Sequence, residues 1–127
     1  MVRLQGTVAS GTGQGAHFMR LEWVRAAVRA AVGFDPYPGT LNLRLGEADT
    51  LRRWREARAS AAVLLAPPPT EPCGGRLVPV LVAPDVTAAV VVPDITRYGD
   101  DVLELVAPVH LRSRLGLRDG DVLTISV

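Results

Sequence analysis

Two oxygen-bearing side chains two positions apart, Thr40 and Asn42, carry the chain's most suggestive chemistry. They follow a stiff connector, Gly33-Phe34-Asp35-Pro36-Tyr37-Pro38-Gly39, and alternate with Leu41, Leu43 and Leu45. Strict alternation puts Thr40 and Asn42 on one face of a strand and the leucines on the other. A hydroxyl and an amide carbonyl are hard donors for Mg2+, an ion that keeps several waters and takes its remaining ligands from substrate phosphates. Such an ion would arrive with a nucleotide. The same pattern also fits a Pro/Gly turn leading into a half-buried strand whose polar residues face water.

A second candidate is the run Ser10-Gly11-Thr12-Gly13-Gln14-Gly15. Glycine at every second position permits left-handed backbone and close approach, so successive N–H groups can converge on phosphate oxygens. No Gly-Lys-Ser/Thr follows, which excludes a P-loop, and the next segment, Ala16 to Leu21, reads as a strand, which excludes the dinucleotide fingerprint. An unliganded glycine-rich turn remains the alternative. Glu104, flanked by apolar residues in Val102-Leu103-Glu104-Leu105-Val106, either faces water or is aimed at a ligand, and water is the default expectation. Arg112 and Arg114 are phosphate partners or ordinary surface charge, and His17 and His110 lack the neighbouring carboxylates or cysteines of a metal or triad site.

Composition removes whole classes of mechanism. All 14 basic residues are arginine, so Schiff-base and Walker-type lysine chemistry is absent. The 14 bases face 13 acids for a net charge of +1, leaving no global electrostatic case for a nucleic-acid or membrane partner. Cys73 is the only cysteine, which precludes an internal disulfide and suits a reducing cytoplasm. Met1 to Gly6 lacks the apolar stretch of a signal peptide, and the apolar run from Leu77 to Pro93 is broken by Pro79, Pro84 and Asp85. The expectation is a cytoplasmic protein of one domain, residues 1–127, able to bury roughly two thirds of its unfolded surface.

The elements that must position these residues are short. Val2 to Ala9 and Ala16 to Leu21 read as strands joined by the glycine loop. Glu22 to Val32 has a helical apolar stripe through Trp23, Val24, Ala27, Val28, Ala31 and Val32, with Arg25 and Arg29 on the solvated face and Gly33 as a left-handed cap. Trp23 is assigned to packing. Asp49 or Thr50 caps a short helix through Trp54, Ser60 to Ala66 is an apolar run, and Pro67 to Gly75 is a loop. Leu77 to Ala83 and Val86 to Val92 are adjacent strands, with an exposed edge or bulge at Pro79. Residues 94–101 form a polar loop, Val102 to Val106 a strand, His110 to Leu115 a helical turn ending near Gly116, and Asp121 to Val127 the last strand. Seven short strands and one substantial helix, without a βαβ repeat, point to a compact β-barrel with a helix across it.

Taken together, Gly6-Thr7-Val8-Ala9-Ser10-Gly11-Thr12-Gly13-Gln14-Gly15, the Gly33 to Asn42 block with its Pro-Tyr-Pro-Gly-Thr-Leu-Asn core, and Val91-Val92-Pro93 with Glu104 to Arg112 resemble the archaeal CTP-dependent riboflavin kinase family. The resemblance covers nearly the whole chain. It implies a six-stranded cradle-loop barrel that transfers the γ-phosphoryl group of CTP to the 5′-hydroxyl of riboflavin, giving FMN and CDP, with Mg2+ as cofactor. By position it implies Thr40 and Asn42 as Mg2+ ligands. Thr12, Gly13, Gln14, Gly15, Ala16 and His17 would bind nucleotide together with Val109, His110, Leu111 and Arg112, while Thr96 and Glu104 would bind flavin. Glu104 is left between two roles, orienting or deprotonating the riboflavin hydroxyl and binding the flavin ring. Ala16 stands where a basic residue occurs in relatives, and Leu45 to Leu77 matches the family poorly. The competing expectations are a non-catalytic flavin- or nucleotide-binding sensor barrel and a DNA-binding barrel of the swapped-hairpin kind.

Overall fold

The computed structural model describes residues 1–11, 14–94 and 99–127. In chain order the elements are β1 (Arg3–Ala9), α1 (Gln14–Met19), α2 (Glu22–Val32), β2 (Leu41–Arg44), α3 (Ala48–Ala61), β3 (Val63–Leu65), β4 (Gly75–Val82), β5 (Val86–Pro93), β6 (Val102–Val106), α4 (Leu111–Leu115) and β7 (Val122–Ser126).

Every strand pairing is antiparallel, in the order β4-β5-β6-β2-β1-β7, and β7 returns to β4 through Leu81↔Ser126 and Val82↔Ile125. The result is the expected closed six-stranded β-barrel. Closure satisfies the strand edges that an open sheet would leave bare. The seventh strand, β3, lies on the start of β4 through Val63↔Leu77 to Leu65↔Gly75. Pro79, which has no N–H to give, falls between the β3 and β7 pairings, facing Ala89 of β5.

Alternation along the strands sorts side chains into two cores. Leu4, Val8, Leu41, Leu43, Val78, Val90, Leu103, Leu105 and Ile125 form one cluster inside the barrel, and Trp54 of α3 plugs it with no exposed surface. The opposite parity faces outward, where Leu77, Ala89, Val91 and Val106 are covered by Phe18 and Met19 of α1 and Val24 and Val28 of α2. Trp23 packs on this outer cluster, edge-on to Phe18 with ring centroids 5.9 Å apart. Gly33 caps α2 in the left-handed region at φ 79°, its N–H donating to Arg29 O at 2.9 Å.

Three expectations are corrected. Ala16 to Leu21 belongs largely to helix α1 rather than to a strand, because Phe18 and Met19, adjacent in sequence, must both reach the outer face of the barrel. The short helix through Trp54 is the 14-residue α3, so there are two substantial helices. The apolar run Ser60 to Ala66 divides between the end of α3 and β3.

Candidate functional site

The Pro-rich connector is pinned to the barrel by Tyr37, whose N–H donates to Ala107 O at 2.8 Å just beyond β6. Gly39 then turns with φ 117°, a conformation that L side chains avoid, and delivers Thr40 to the start of β2. Thr40 Oγ1 donates to Glu104 Oε2 at 3.1 Å. Asn42 sits directly opposite Glu104 in the β2–β6 register. Leu41, Leu43 and Leu45 are buried on the other face, so the expected division of β2 is observed.

The default expectation that Glu104 faces water is corrected: it is 4% exposed and Asn42 only 7%. Parity puts both on the outer face of the barrel, but neighbouring elements cover that face here. Asn42 Oδ1 is buried without a donor among the described residues. A buried carbonyl oxygen without a partner loses its hydration for nothing unless something else binds it. Beside it stand a carboxylate and a hydroxyl, a set of oxygens that suits a hard divalent cation. Among the described residues no group of three or more His, Cys, Asp or Glu side chains is placed to hold a metal, so a cation site here has to draw on neutral oxygens.

Two cavities flank this cluster. The first, about 190 Å³, runs between Tyr37 to Leu41 and the segment Ala107 to Arg112, and all four of Val109, His110, Leu111 and Arg112 line it. Tyr37 and His110 stack in its wall with ring centroids 5.1 Å apart and planes tilted by 33°. His110 Nδ1 lies 2.6 Å from Ser113 Oγ, which fixes the imidazole at the start of α4. Arg112 Nη2 donates to Asp119 Oδ1 at 2.6 Å and to Ala9 O at 3.4 Å, while Ser10 Oγ donates to Asp119 Oδ2 at 2.5 Å. Asp119 therefore ties the start of the glycine loop to α4. The Ser10 hydrogen bond and the Arg112 guanidinium hold its carboxyl below the usual carboxylate range.

The second cavity, about 320 Å³, opens where β5 and β6 part. Their pairing stops at Val91↔Glu104, yet β5 continues to Pro93 and β6 begins at Val102. Glu104 lines this cavity and Thr40 lines the first, so their hydrogen bond joins the two. Trp54 forms part of the lining, as do Arg58 and Arg76. These three were missed in the sequence; the only signal was Trp54 and Arg58 four positions apart on one helix, and Arg76 on β4 carried none. A third cavity, about 230 Å³, lies between Tyr37 to Gly39 and the helices, where Ala16, Arg20 and Arg25 line it. Arg25, expected to be simply solvated, is exposed but sits on this rim, whereas Arg29 pairs with Asp35 at 2.9 Å.

Of the other expected site residues, Gln14 and Gly15 open α1, and His17 is exposed further along it. Thr12, Gly13 and Thr96 lie outside the described residues.

The closed barrel thus carries two cavities that meet at a buried cluster of oxygens. The family model for the CTP-dependent riboflavin kinase domain, described as Domain of unknown function DUF120, matches residues 8–127. Riboflavin kinase from Pyrobaculum islandicum is 38% identical over 99% of this chain and 60% of its own length. The riboflavin kinases of Archaeoglobus fulgidus and Saccharolobus solfataricus are 36% and 34% identical, again over 99% of this chain and over 54% and 74% of their own lengths. The chain belongs to the CTP-dependent riboflavin kinase family, and it spans a little over half the length of the first two of these relatives. Among the described residues no helix is long and apolar enough to cross a membrane.

Proposed function

We propose that the chain is a CTP-dependent riboflavin kinase acting in the cytoplasm, making FMN and CDP. The observation that carries this reading is the Thr40 to Glu104 hydrogen bond, because it puts one residue of each cavity in contact at a cluster of oxygens. Phosphoryl transfer needs donor and acceptor in line, with charge neutralised between them, and little covalent work from the protein. The first cavity takes the nucleotide, whose base meets the Tyr37 and His110 rings and the backbone of Val109 to Arg112. Its phosphates extend toward the glycine loop and Thr40. The second cavity takes riboflavin, with the ribityl chain directed at Glu104.

In the transfer, the 5′-oxygen of riboflavin forms its bond to the γ-phosphorus as the bond from that phosphorus to the bridging oxygen breaks. CDP leaves with the electron pair. Glu104, held by Thr40, orients the hydroxyl and accepts its proton when ionised. Thr40 and Asn42 would hold Mg2+, which when bound neutralises phosphate charge. Asn42 Oδ1, buried without a donor among the described residues, supports that assignment.

Incubation of the purified protein with riboflavin, Mg2+ and CTP, ATP, GTP or UTP separately, followed by chromatographic detection of FMN, tests the reading. FMN formed fastest with CTP is the expected result. Binding of flavin and nucleotide without any FMN would instead leave a sensor barrel, and FMN formed equally well from all four triphosphates would remove the CTP assignment.

A further inference from the structure

The second cavity has a chemical polarity that the transfer step does not use. Much of its wall is apolar, from Val90, Val91, Val92, Pro93, Val102, Leu103 and Trp54, and Asp94 and Asp100 also line it. Glu104 marks one end. Arg58 of α3 and Arg76 of β4 line it as well, and both continue into an adjoining cavity of about 250 Å³ that shares Val92. Among the described residues neither guanidinium holds a tight ion pair. Arg55 takes both oxygens of Asp100, at 2.6 and 2.9 Å, and Arg58 acts on that carboxylate only through its charge. Arg76 approaches Asp94 only to 3.7 Å. The indole Nε1–H of Trp54 is likewise buried without an acceptor among the described residues.

An apolar slot with forked donors at one end fits a flat heteroaromatic ring that carries acceptors along one edge. Guanidinium stays charged at any working pH and offers planar, paired N–H groups. Resting on the riboflavin kinase reading, we infer that Arg58 and Arg76 determine flavin specificity by receiving the pyrimidinedione edge of the isoalloxazine ring while the ribityl chain runs to Glu104. Val91, which pairs with Glu104, and Val92, which pairs with Arg76, are consecutive on β5, so the two side chains leave opposite faces of the sheet and reach the same cavity around the place where β5 and β6 part.

Lumiflavin, which keeps the ring and lacks the ribityl chain, isolates this contact. Quenching of flavin fluorescence measures its binding to wild type, Arg58→Met, Arg76→Met and Arg58→Lys, beside steady-state KM values for riboflavin and CTP. Methionine keeps an unbranched stem and removes the fork, and both arginines carry enough exposure for the fold to tolerate it. The expected result is that each Met variant binds lumiflavin about tenfold or more weakly, since hydrogen bonds to charged groups are the stronger kind. Riboflavin KM should rise in parallel, with CTP KM unchanged and part of the loss recovered in Arg58→Lys. Wild-type lumiflavin affinity in both Met variants, with FMN still produced, overturns the inference and leaves the kinase reading standing. A wild-type protein that binds neither flavin nor makes FMN overturns both.

Discussion

Thr40 and Glu104 stand 64 positions apart in the chain and meet through a 3.1 Å hydrogen bond on the outer wall of the barrel. Asn42 is level with Glu104 across β2 and β6, and Thr40 stands one residue before β2, so the pairing of two strands and the turn at Gly39 together assemble hydroxyl, amide and carboxylate. Sites built on strands hold their geometry better than sites on loops.

Asn42→Leu should separate activity from stability. The buried Oδ1 has no donor among the described residues, so removing it relieves a desolvation cost while roughly preserving bulk. We expect FMN formation to fall by about two orders of magnitude or more, with Tm unchanged or raised by roughly 2–5 °C. Thr40→Val should lose activity comparably. Turnover and thermal unfolding of the same preparations check this; wild-type turnover at saturating Mg2+ in both variants removes the metal assignment.

Chelation gives an independent reading of the same oxygens. Excess EDTA should abolish FMN formation, and added Mg2+ should restore it, because a lysine-free site has no ammonium to set against the phosphates. Persistent turnover in metal-free buffer, verified by elemental analysis, contradicts it.

Asp119 yields a prediction with a defined pH window. The Ser10 hydrogen bond and Arg112 lower its pKa from 3.8, so its contribution to stability is fully present above the unfolded pKa and is lost as pH falls through the folded one. Asp119→Asn should therefore lower Tm by a constant amount between about pH 5 and 8, and the two unfolding profiles should converge below about pH 4. CTP KM should also rise in the variant, since Asp119 orients Arg112. Profiles that stay parallel to pH 2 argue against this role.

Gly6→Ala tests the close approach of β1 and β2. An added Cβ would lie 2.6 Å from Leu43 Cγ and 2.9 Å from Arg44 O, and the backbone oxygen cannot swing aside. A loss of roughly 1–3 kcal/mol is expected from such overpacking, read from urea unfolding with an unchanged m-value. An unaltered midpoint contradicts the packing described.

The parts of this fold legible in sequence were those with a local signature. Leu41, Leu43 and Leu45 alternate with Asn42 and Arg44, Gly33 caps its helix in left-handed geometry as expected, and α4 ends at Gly116. Helix α1 was not legible, because six residues after a glycine loop have no periodicity to read and are helical through their fit to the outer wall. The full length of α3 was hidden by its composition: only Thr50 and Trp54 are buried, so it carries almost no apolar stripe. Glu104 was expected by default to face water and is buried, since alternation says which way a side chain points and nothing about what covers it. Arg58 and Arg76 become neighbours only through the packing of α3 at the mouth of the barrel, a relation that spacing along the chain does not encode.

The alternation along β2 has a consequence for how the sequence can vary. Leu41 and Leu43 belong to the interior core while Asn42 between them belongs to the oxygen cluster with Thr40 and Glu104. Inserting or deleting one residue in this strand would turn the leucines outward and send the amide into the core. Core packing and the oxygen cluster thus share one reading frame of side chains over Leu41 to Arg44, and insertions compatible with both are confined to the connections on either side.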